Sequence, residues 1–131
     1  MHKTAYLLGL SGLIPFVGFT AVMHQPWAAT YFLPYSAVIL SFLGGIHWGV
    51  ALQDPRWSNS WRLSLCMLPS LIGWVALTLP LKESLILLMI AYVLWWVYDY
   101  SQIKVDDYRR LRRCLSVVVI VCHGSWLFFN F

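Results

Sequence analysis

The chain has 131 residues, of which 60% are hydrophobic and only 11% are Asp, Glu, Lys or Arg. A soluble globular domain carries about a quarter charged residues, so this composition excludes that class of protein. A membrane-crossing helix needs roughly 20 residues, so the chain has room for about five crossings and for no separate soluble domain. The net charge of +4 is explained by basic cytoplasmic loops, and no nucleic-acid partner is expected.

Apolar segments separated by short polar turns predict an all-α integral membrane protein, folded as one compact bundle of five transmembrane helices over residues 1–131. The apolar core of the first segment is longer than the roughly 15 residues of a signal peptide, so we expect an uncleaved span, kinked at Pro15. The predicted spans cover residues of about 4–23, 35–52, 63–79, 84–100 and 114–129.

The distribution of Lys and Arg predicts the orientation of this bundle. With five spans, a cytoplasmic N-terminus places every basic residue except Lys82 on the cytoplasmic side, as the positive-inside rule requires. The C-terminus would then lie outside. The basic residues assigned to the cytoplasmic side are Lys3, Arg56, Arg62, Lys104, Arg109, Arg110, Arg112 and Arg113.

The second segment carries small side chains at every fourth position, at Ala37, Ser41, Gly45 and Gly49. This spacing places them in one row along a helix. In lipid, small residues let two helix backbones approach closely, so the row predicts a helix-packing seam and makes this segment the centre of the bundle.

The same segment contains His47, about 8 Å from its cytoplasmic end at a rise of 1.5 Å per residue. Asp99 ends the fourth segment in the same leaflet, with Arg62 and Arg112 near that level. A carboxylate that orients a histidine is typical of proton handling or ligand binding. The alternative is structural: Asp99 pairs with an interfacial arginine, and His47 bonds to a neighbouring carbonyl.

Trp48 and His123 are the remaining candidates for a ligand site. Trp48 either packs against a glycine of another helix or forms a flat wall for a quinone or haem. His123 lies near mid-membrane, about 6 Å from the depth of His47, which disfavours a haem ligated by both histidines. Sulfur and imidazole ligands suit copper, but the Cys, Met and His pairs of this chain fall at different depths, so no metal site is predicted.

The charged segment 104–113 has two interpretations as a short surface helix. Its basic residues could bind anionic lipid headgroups, which is the favoured interpretation. Alternatively, Tyr108, Leu111 and Arg112 share a helical face that could dock a partner. Aromatic residues near the predicted span ends are typical of the membrane interface; they are Trp27, Trp57, Trp61, Trp95, Trp96 and Tyr100.

The stretch 35–49, which contains Ser-Phe-Leu-Gly-Gly-Ile-His-Trp-Gly, resembles a family of small bacterial and mitochondrial inner-membrane proteins with a domain of unknown function. Asp99, Tyr108, Leu111, Arg112 and Leu115 support the resemblance, which would cover nearly the whole chain. In that family an arginine is frequent at the position of His47. The resemblance therefore implies that a fixed positive charge is tolerated there, which favours pairing with Asp99 over a mechanism that needs a titrating histidine.

We expect a non-enzymatic accessory or assembly protein of an energy-transducing membrane: the bacterial inner membrane, or the mitochondrial inner membrane in a eukaryote. Its expected partners are the lipid bilayer and a membrane protein or a second copy of itself, with no cofactor required. Two alternatives remain open. One is a small-ligand (quinone or haem) or proton-handling site lined by His47, Trp48 and Asp99. The other is a transporter protomer, which at this size would need to oligomerise.

Overall fold

The computed structural model describes residues 3–56 and 59–131, and the secondary structure in these ranges is entirely helical. The all-α prediction is therefore confirmed. Four stretches are long and apolar enough to cross a membrane, namely Lys3–Ala21, Ala28–Gln53, Leu81–Gln102 and Asp106–Asn130. The helices are α1 (Lys3–Ser11), α2 (Leu13–Ala21), α3 (Ala28–Gln53), α4 (Ser60–Leu65), α5 (Leu68–Ala76), α6 (Leu81–Gln102) and α7 (Asp106–Asn130).

The first predicted span is divided into α1 and α2 at Gly12. This break lies one turn before Pro15, whose ring clashes with the carbonyl four residues earlier and which has no N–H to donate to it. At the break, the backbone N–H of Gly12 is shared between two carbonyl oxygens, those of Leu8 and Gly9, each 3.2 Å away. The carbonyl of Gly12 accepts a hydrogen bond of 2.8 Å from the Tyr35 hydroxyl of α3, which holds the bend against the bundle.

The third predicted span is interrupted in the same way, because Pro69 lies four residues after the end of α4 at Leu65. The turn between α4 and α5 presses against α3. A Cβ on Gly44 would lie 2.6 Å from the carbonyl oxygen of Cys66 and 3.1 Å from the Pro69 ring. A side chain larger than hydrogen therefore does not fit at Gly44.

Two helices begin earlier than the predicted spans. The segment 24–34 was expected to be a loop, but α3 begins at Ala28 and includes Pro34 in its second turn. Likewise α7 begins at Asp106 instead of near residue 114, so most of the charged segment belongs to a long helix. Hydropathy marks the apolar part of α7 and does not detect the polar turns that begin it. The turns added to α3 are mostly apolar, and Pro34, which was expected to lie in a loop, lies inside that helix. The predicted interfacial residue Trp57 lies outside the described residues.

Contacts between helices establish their relative directions. Ser36 of α3 meets Tyr92 of α6, and His47 further along α3 meets Asp99 further along α6, so these two helices run parallel. Asp99 and Tyr92 of α6 contact Tyr108 and His123 of α7 respectively, so α6 and α7 are antiparallel. The core lies between α2, α3, α6 and α7, where the largest buried apolar side chains are Phe16, Phe32, Leu40, Leu85, Leu88, Tyr92 and Trp126.

Candidate functional site

The carboxylate of Asp99 is the centre of a buried polar cluster near one end of the bundle. His47 Nε2 donates to its Oδ1 at 2.5 Å, and the Tyr108 hydroxyl donates to the same oxygen at 3.0 Å. Arg112 Nε lies 3.0 Å from Oδ2, and Arg112 Nη1 donates to Ser116 Oγ at 2.5 Å. We call these five residues the Asp99 cluster. The side chains of His47 and Asp99 are each 1% exposed, so the charges are removed from solvent.

Helix geometry explains how the cluster is assembled. Tyr108, Arg112 and Ser116 follow each other at intervals of four along α7, so they share one face. The antiparallel contact between α6 and α7 brings that face to Asp99, and the parallel contact between α3 and α6 brings His47 to the same level. Buried charges require partners of opposite charge. The cluster supplies them within the described chain, because Asp99 faces both a guanidinium and an imidazole.

A second polar group lies deeper, around His123. Its Nδ1 donates to the Val119 carbonyl at 2.8 Å, so the neutral ring accepts at Nε2 from Ser36 Oγ, 2.7 Å away. The Tyr92 hydroxyl donates to the Ser36 carbonyl at 2.5 Å. Phe16 and Phe32 pack around the imidazole, with ring centroids 6.1 and 5.0 Å from it. His123 is thus held between α3, α6 and α7, apart from the Asp99 cluster.

The structure places His47, Asp99 and Arg112 together and leaves the other predicted site residues elsewhere. Trp48 is 42% exposed on the outer face of α3, so it does not form a wall beside His47. Arg62 of α4 donates to Gln102 Oε1 at the end of α6, at 2.5 Å. Haem shared by both histidines does not fit these residues, because both ring nitrogens of His123 are engaged within the protein.

The predicted small-residue row is divided between the inside and the outside of the bundle. Ala37 is buried, and its Cβ would be 3.2 Å from a Cβ added to Gly73 of α5. In contrast, a Cβ on Gly45 or on Gly49 would meet no atom within 4 Å. Ser41 donates to the Ala37 carbonyl. The glycine that packs tightly inside is Gly44, which lies outside the predicted row.

Two predicted surface features are buried instead. Trp95 was assigned to the interfacial belt, but it is 7% exposed and its ring lies 5.2 Å from that of His47. The face formed by Tyr108, Leu111 and Arg112 was one candidate docking surface. Leu111 and Arg112 are buried, so this face packs within the chain and the docking interpretation is wrong. In both cases helix rotation decides which side chain faces inward.

Sequence reasoning did not assign Ser36, Tyr92 and Ser116 to a site. The four-residue spacing of Tyr108, Arg112 and Ser116 is the signal that could have identified the last of these. A different ion pair lies beyond the end of α3, where Arg56 hydrogen-bonds to Asp54 and thereby lowers the pKa of that carboxyl. The described residues contain no group of three or more His, Cys, Asp or Glu side chains that could hold a metal ion.

The sequence of the chain matches a known protein family. Residues 1–128 match the family described as "Protein of unknown function (DUF3429)". The chain belongs to this family. The description carries no activity, so the family places the chain among relatives without assigning a reaction to the Asp99 cluster. No solved structure matches the chain significantly.

The relatives with curated names are transmembrane proteins. The chain is 33% identical to Transmembrane protein 69 of Xenopus tropicalis over 132 aligned positions, which cover 90% of this chain and 51% of that protein. It is 34% identical to Transmembrane protein 69 of Mus musculus over 97 positions, covering 67% of this chain and 40% of that protein. The chain therefore aligns with about half of each relative or less. Together with the four span-like helices, these names identify an α-helical transmembrane protein.

Proposed function

We propose that this chain is a non-enzymatic accessory or assembly protein of an energy-transducing membrane, which binds a transmembrane helix of a partner protein along α3. The observation that carries the proposal is the open glycine pair Gly45 and Gly49, four residues apart on α3, where no other helix among the described residues comes within 4 Å of either Cβ position. The expected membrane is the bacterial inner membrane, or the mitochondrial inner membrane in a eukaryote.

The outer face of α3 has the composition of a helix-docking surface. Gly45 and Gly49 form a shallow groove, and the exposed side chains of Val38, Phe42 and Trp48 border it. Two glycines at this spacing let the backbone of another helix approach closely in lipid, where van der Waals packing drives association. We call this surface the α3 groove. Trp48 beside it supplies a large, flat contact for the partner.

The Asp99 cluster fits a structural brace better than a reaction centre. His47, Tyr108 and Arg112 all direct polar atoms to one carboxylate, so they hold α3, α6 and α7 at a fixed register. The pairing of Asp99 with Arg112 supports the structural alternative, whereas His47 contacts Asp99 and not the neighbouring carbonyl that this alternative expected. A rigid bundle presents the α3 groove in one orientation.

The proposal includes five membrane crossings. Because α3 and α6 run parallel, the chain between them must return to the side on which α3 begins. The helices α4 and α5 extend over residues 60–76, or about 25 Å at 1.5 Å per residue, which is close to the roughly 30 Å hydrocarbon thickness. Their contacts with α3, from Cys66 to Gly44 and from Gly73 to Ala37, are antiparallel to it.

The proposed orientation is N-terminus cytoplasmic and C-terminus outside. The basic residues Lys104, Arg110 and Arg113 are exposed at one end of the bundle, where they would bind anionic lipid headgroups. Lys82 lies in the first turn of α6, at the opposite end. Arg112 was counted among the cytoplasmic loop charges, but it is buried in the Asp99 cluster and is not exposed to the lipid headgroups.

Affinity purification with a matched pair of variants tests the proposed function. Gly45→Leu fills the α3 groove, whereas Gly18→Leu places the same side chain at another open glycine, in α2. Tagged protein from gently solubilised native membranes should recover a membrane partner in stoichiometric amount. Gly45→Leu should lose that partner, and Gly18→Leu should retain it.

Equal recovery by both variants, or recovery of no membrane protein, would contradict a partner on the α3 groove. Native gel electrophoresis of the purified protein distinguishes a different partner protein from a second copy of this chain. A homodimer that Gly45→Leu dissociates would show that the groove binds a second copy, which contradicts the accessory role.

A further inference from the structure

A cavity of about 400 Å³ lies between α1, α2, α3 and α7, on the side of the bundle away from α5. Its walls are almost entirely hydrocarbon, and Phe16 and Tyr92 supply ring surfaces. Cavities of about 300–1,000 Å³ are typical of small-ligand sites. The lining residues also include Leu8, Phe42, Tyr108, Arg112 and Leu115.

The cavity opens towards the outside of the bundle between α1 and α3. Two of its lining residues, Leu8 of α1 and Phe42 of α3, are 67% and 65% exposed, so they form the rim of the opening. Both helices belong to span-like stretches, so the rim faces the hydrocarbon of the membrane. A ligand would therefore enter from the lipid phase and must be soluble in it.

The polar side chains Tyr108 and Arg112 connect this cavity to the Asp99 cluster. Arg112 is 4% exposed, and its Nη2 makes no hydrogen bond of normal geometry with the described residues. The Tyr108 hydroxyl donates its proton to Asp99 and its oxygen also interacts with the Arg112 guanidinium, but one oxygen cannot accept from both N–H groups of Nη2, so at least one of them lacks an acceptor among the described residues. A buried N–H donor without an acceptor is unfavourable, especially in lipid, where water cannot supply one.

We propose that this cavity binds a lipid-soluble, uncharged molecule that presents a carbonyl oxygen to Arg112 Nη2 and buries an apolar body among α1, α2 and α3. We infer that the ligand is uncharged because the Asp99 carboxylate already lies 3.0 Å from the Arg112 guanidinium. An anionic head at Nη2 would lie close to the buried Asp99 carboxylate, and repulsion between two negative charges out of water disfavours it. A quinone ring and the ester of an uncharged lipid share the required chemistry.

This proposal is independent of the partner on the α3 groove, because purified protein alone tests it. Calorimetric titration in lipid nanodiscs, corrected with empty nanodiscs, would compare four probes: a decyl-substituted benzoquinone, dioctanoylglycerol, decylbenzene and decanoate. We expect the first probe, the second or both to bind at one site per chain. Decylbenzene, which has no acceptor oxygen, should bind at least about tenfold more weakly.

Leu115→Trp and Arg112→Lys test whether the ligand binds in the cavity, and Val121→Trp is the control. Leu115→Trp fills the cavity, and Val121→Trp places the same side chain on an exposed position of the same helix. Arg112→Lys keeps a positive charge near Asp99 but removes Nη2. Leu115→Trp and Arg112→Lys should each weaken binding about tenfold or more, and Val121→Trp should not change it.

The relative binding of the probes identifies the source of the carbonyl group. Binding of the quinone alone identifies a ring-shaped ligand, and binding of dioctanoylglycerol alone identifies a lipid ester. Binding of decanoate alone would contradict the proposal that the polar group of the ligand is uncharged. Absence of saturable binding, or equal binding by Leu115→Trp and the unsubstituted protein, would overturn the site.

Discussion

His47 and Asp99 are 52 residues apart in the sequence, yet Nε2 of the histidine lies 2.5 Å from Oδ1 of the aspartate. The contact joins two parallel helices that are not consecutive, and Arg112 adds a third helix through the other oxygen of the same carboxylate. Three of the span-like helices are therefore tied together at one buried group.

Asp99→Asn should destabilise the bundle because it leaves the buried guanidinium of Arg112 without a counter-ion. Breaking a buried ion pair from one side costs about 3–5 kcal/mol in proteins. Asp54→Asn is the matched control, since its partner Arg56 is 84% exposed and surface ion pairs contribute little. Thermal unfolding in mild detergent should show a large decrease in Tm for the first variant and almost none for the second. Equal Tm values would contradict the role of the Asp99 cluster as a brace.

Gly44→Ala and Gly45→Ala change adjacent residues of one helix with opposite expected results. The new methyl group at position 44 would lie 2.6 Å from the Cys66 carbonyl oxygen, so α4 and α5 would have to move, at a cost of about 1–3 kcal/mol. At position 45 it would enter open space, and stability should be unchanged or higher by up to about 1 kcal/mol, because alanine is favoured over glycine in a helix. The free energy of unfolding of the two variants, measured in the same detergent, checks this contrast. A loss at Gly45 without one at Gly44 would mean that α3 is rotated.

Tyr92→Phe should weaken the contact between α3 and α6 deep in the bundle, because it removes the hydrogen bond to the Ser36 carbonyl. Hydrogen bonds between transmembrane helices contribute about 0.6–2 kcal/mol, so a measurable but modest decrease in Tm is expected. Tyr100→Phe, at an exposed position of the same helix, serves as the control. A Tm of Tyr92→Phe equal to that of Tyr100→Phe would show that this hydrogen bond does not stabilise the bundle.

Labelling with a membrane-impermeant maleimide tests the proposed topology. In spheroplasts, a cysteine at Lys82→Cys should react from the outside, and one at Arg110→Cys should react only after the membrane is opened. The background from the native Cys114, which is exposed, is measured in the unsubstituted protein. Reaction of both positions from the same side would contradict the crossing by α6, and reaction of Arg110→Cys alone from the outside would contradict the crossing by α4 and α5 with a cytoplasmic N-terminus.

The helical class and the similar membrane depth of His47 and Asp99 could be predicted from the sequence, because hydropathy and the rise per residue are local properties. It could not determine helix rotation. Trp48 and Trp95 were interpreted by their nearness to span ends, yet one faces outward and the other packs against His47. The row of small residues from Ala37 to Gly49 drifts around the helix, so one end packs inside and the other is open.

Tertiary contacts also decided where the helices begin. Pro15 correctly marked a bend, and Pro69 causes a second one that was not predicted; both breaks fall one turn before the proline, at the carbonyl groups that each ring displaces. The first turns of α7 contact Asp99 through Tyr108 and Arg112, and no local pattern of hydropathy reports such contacts. Relative helix rotation and contacts between distant segments are thus the parts that required the structure.

The central claim is that a partner helix lies in the α3 groove, and photocrosslinking in intact native membranes tests it most directly. A photoreactive amino acid at position 45 should give one discrete adduct with another membrane protein, since no other helix of the described chain comes within 4 Å of its Cβ position. The same amino acid at position 18, the other open glycine, should give no such adduct. An adduct of this chain with itself, or crosslinking to lipid alone at position 45, would contradict the account.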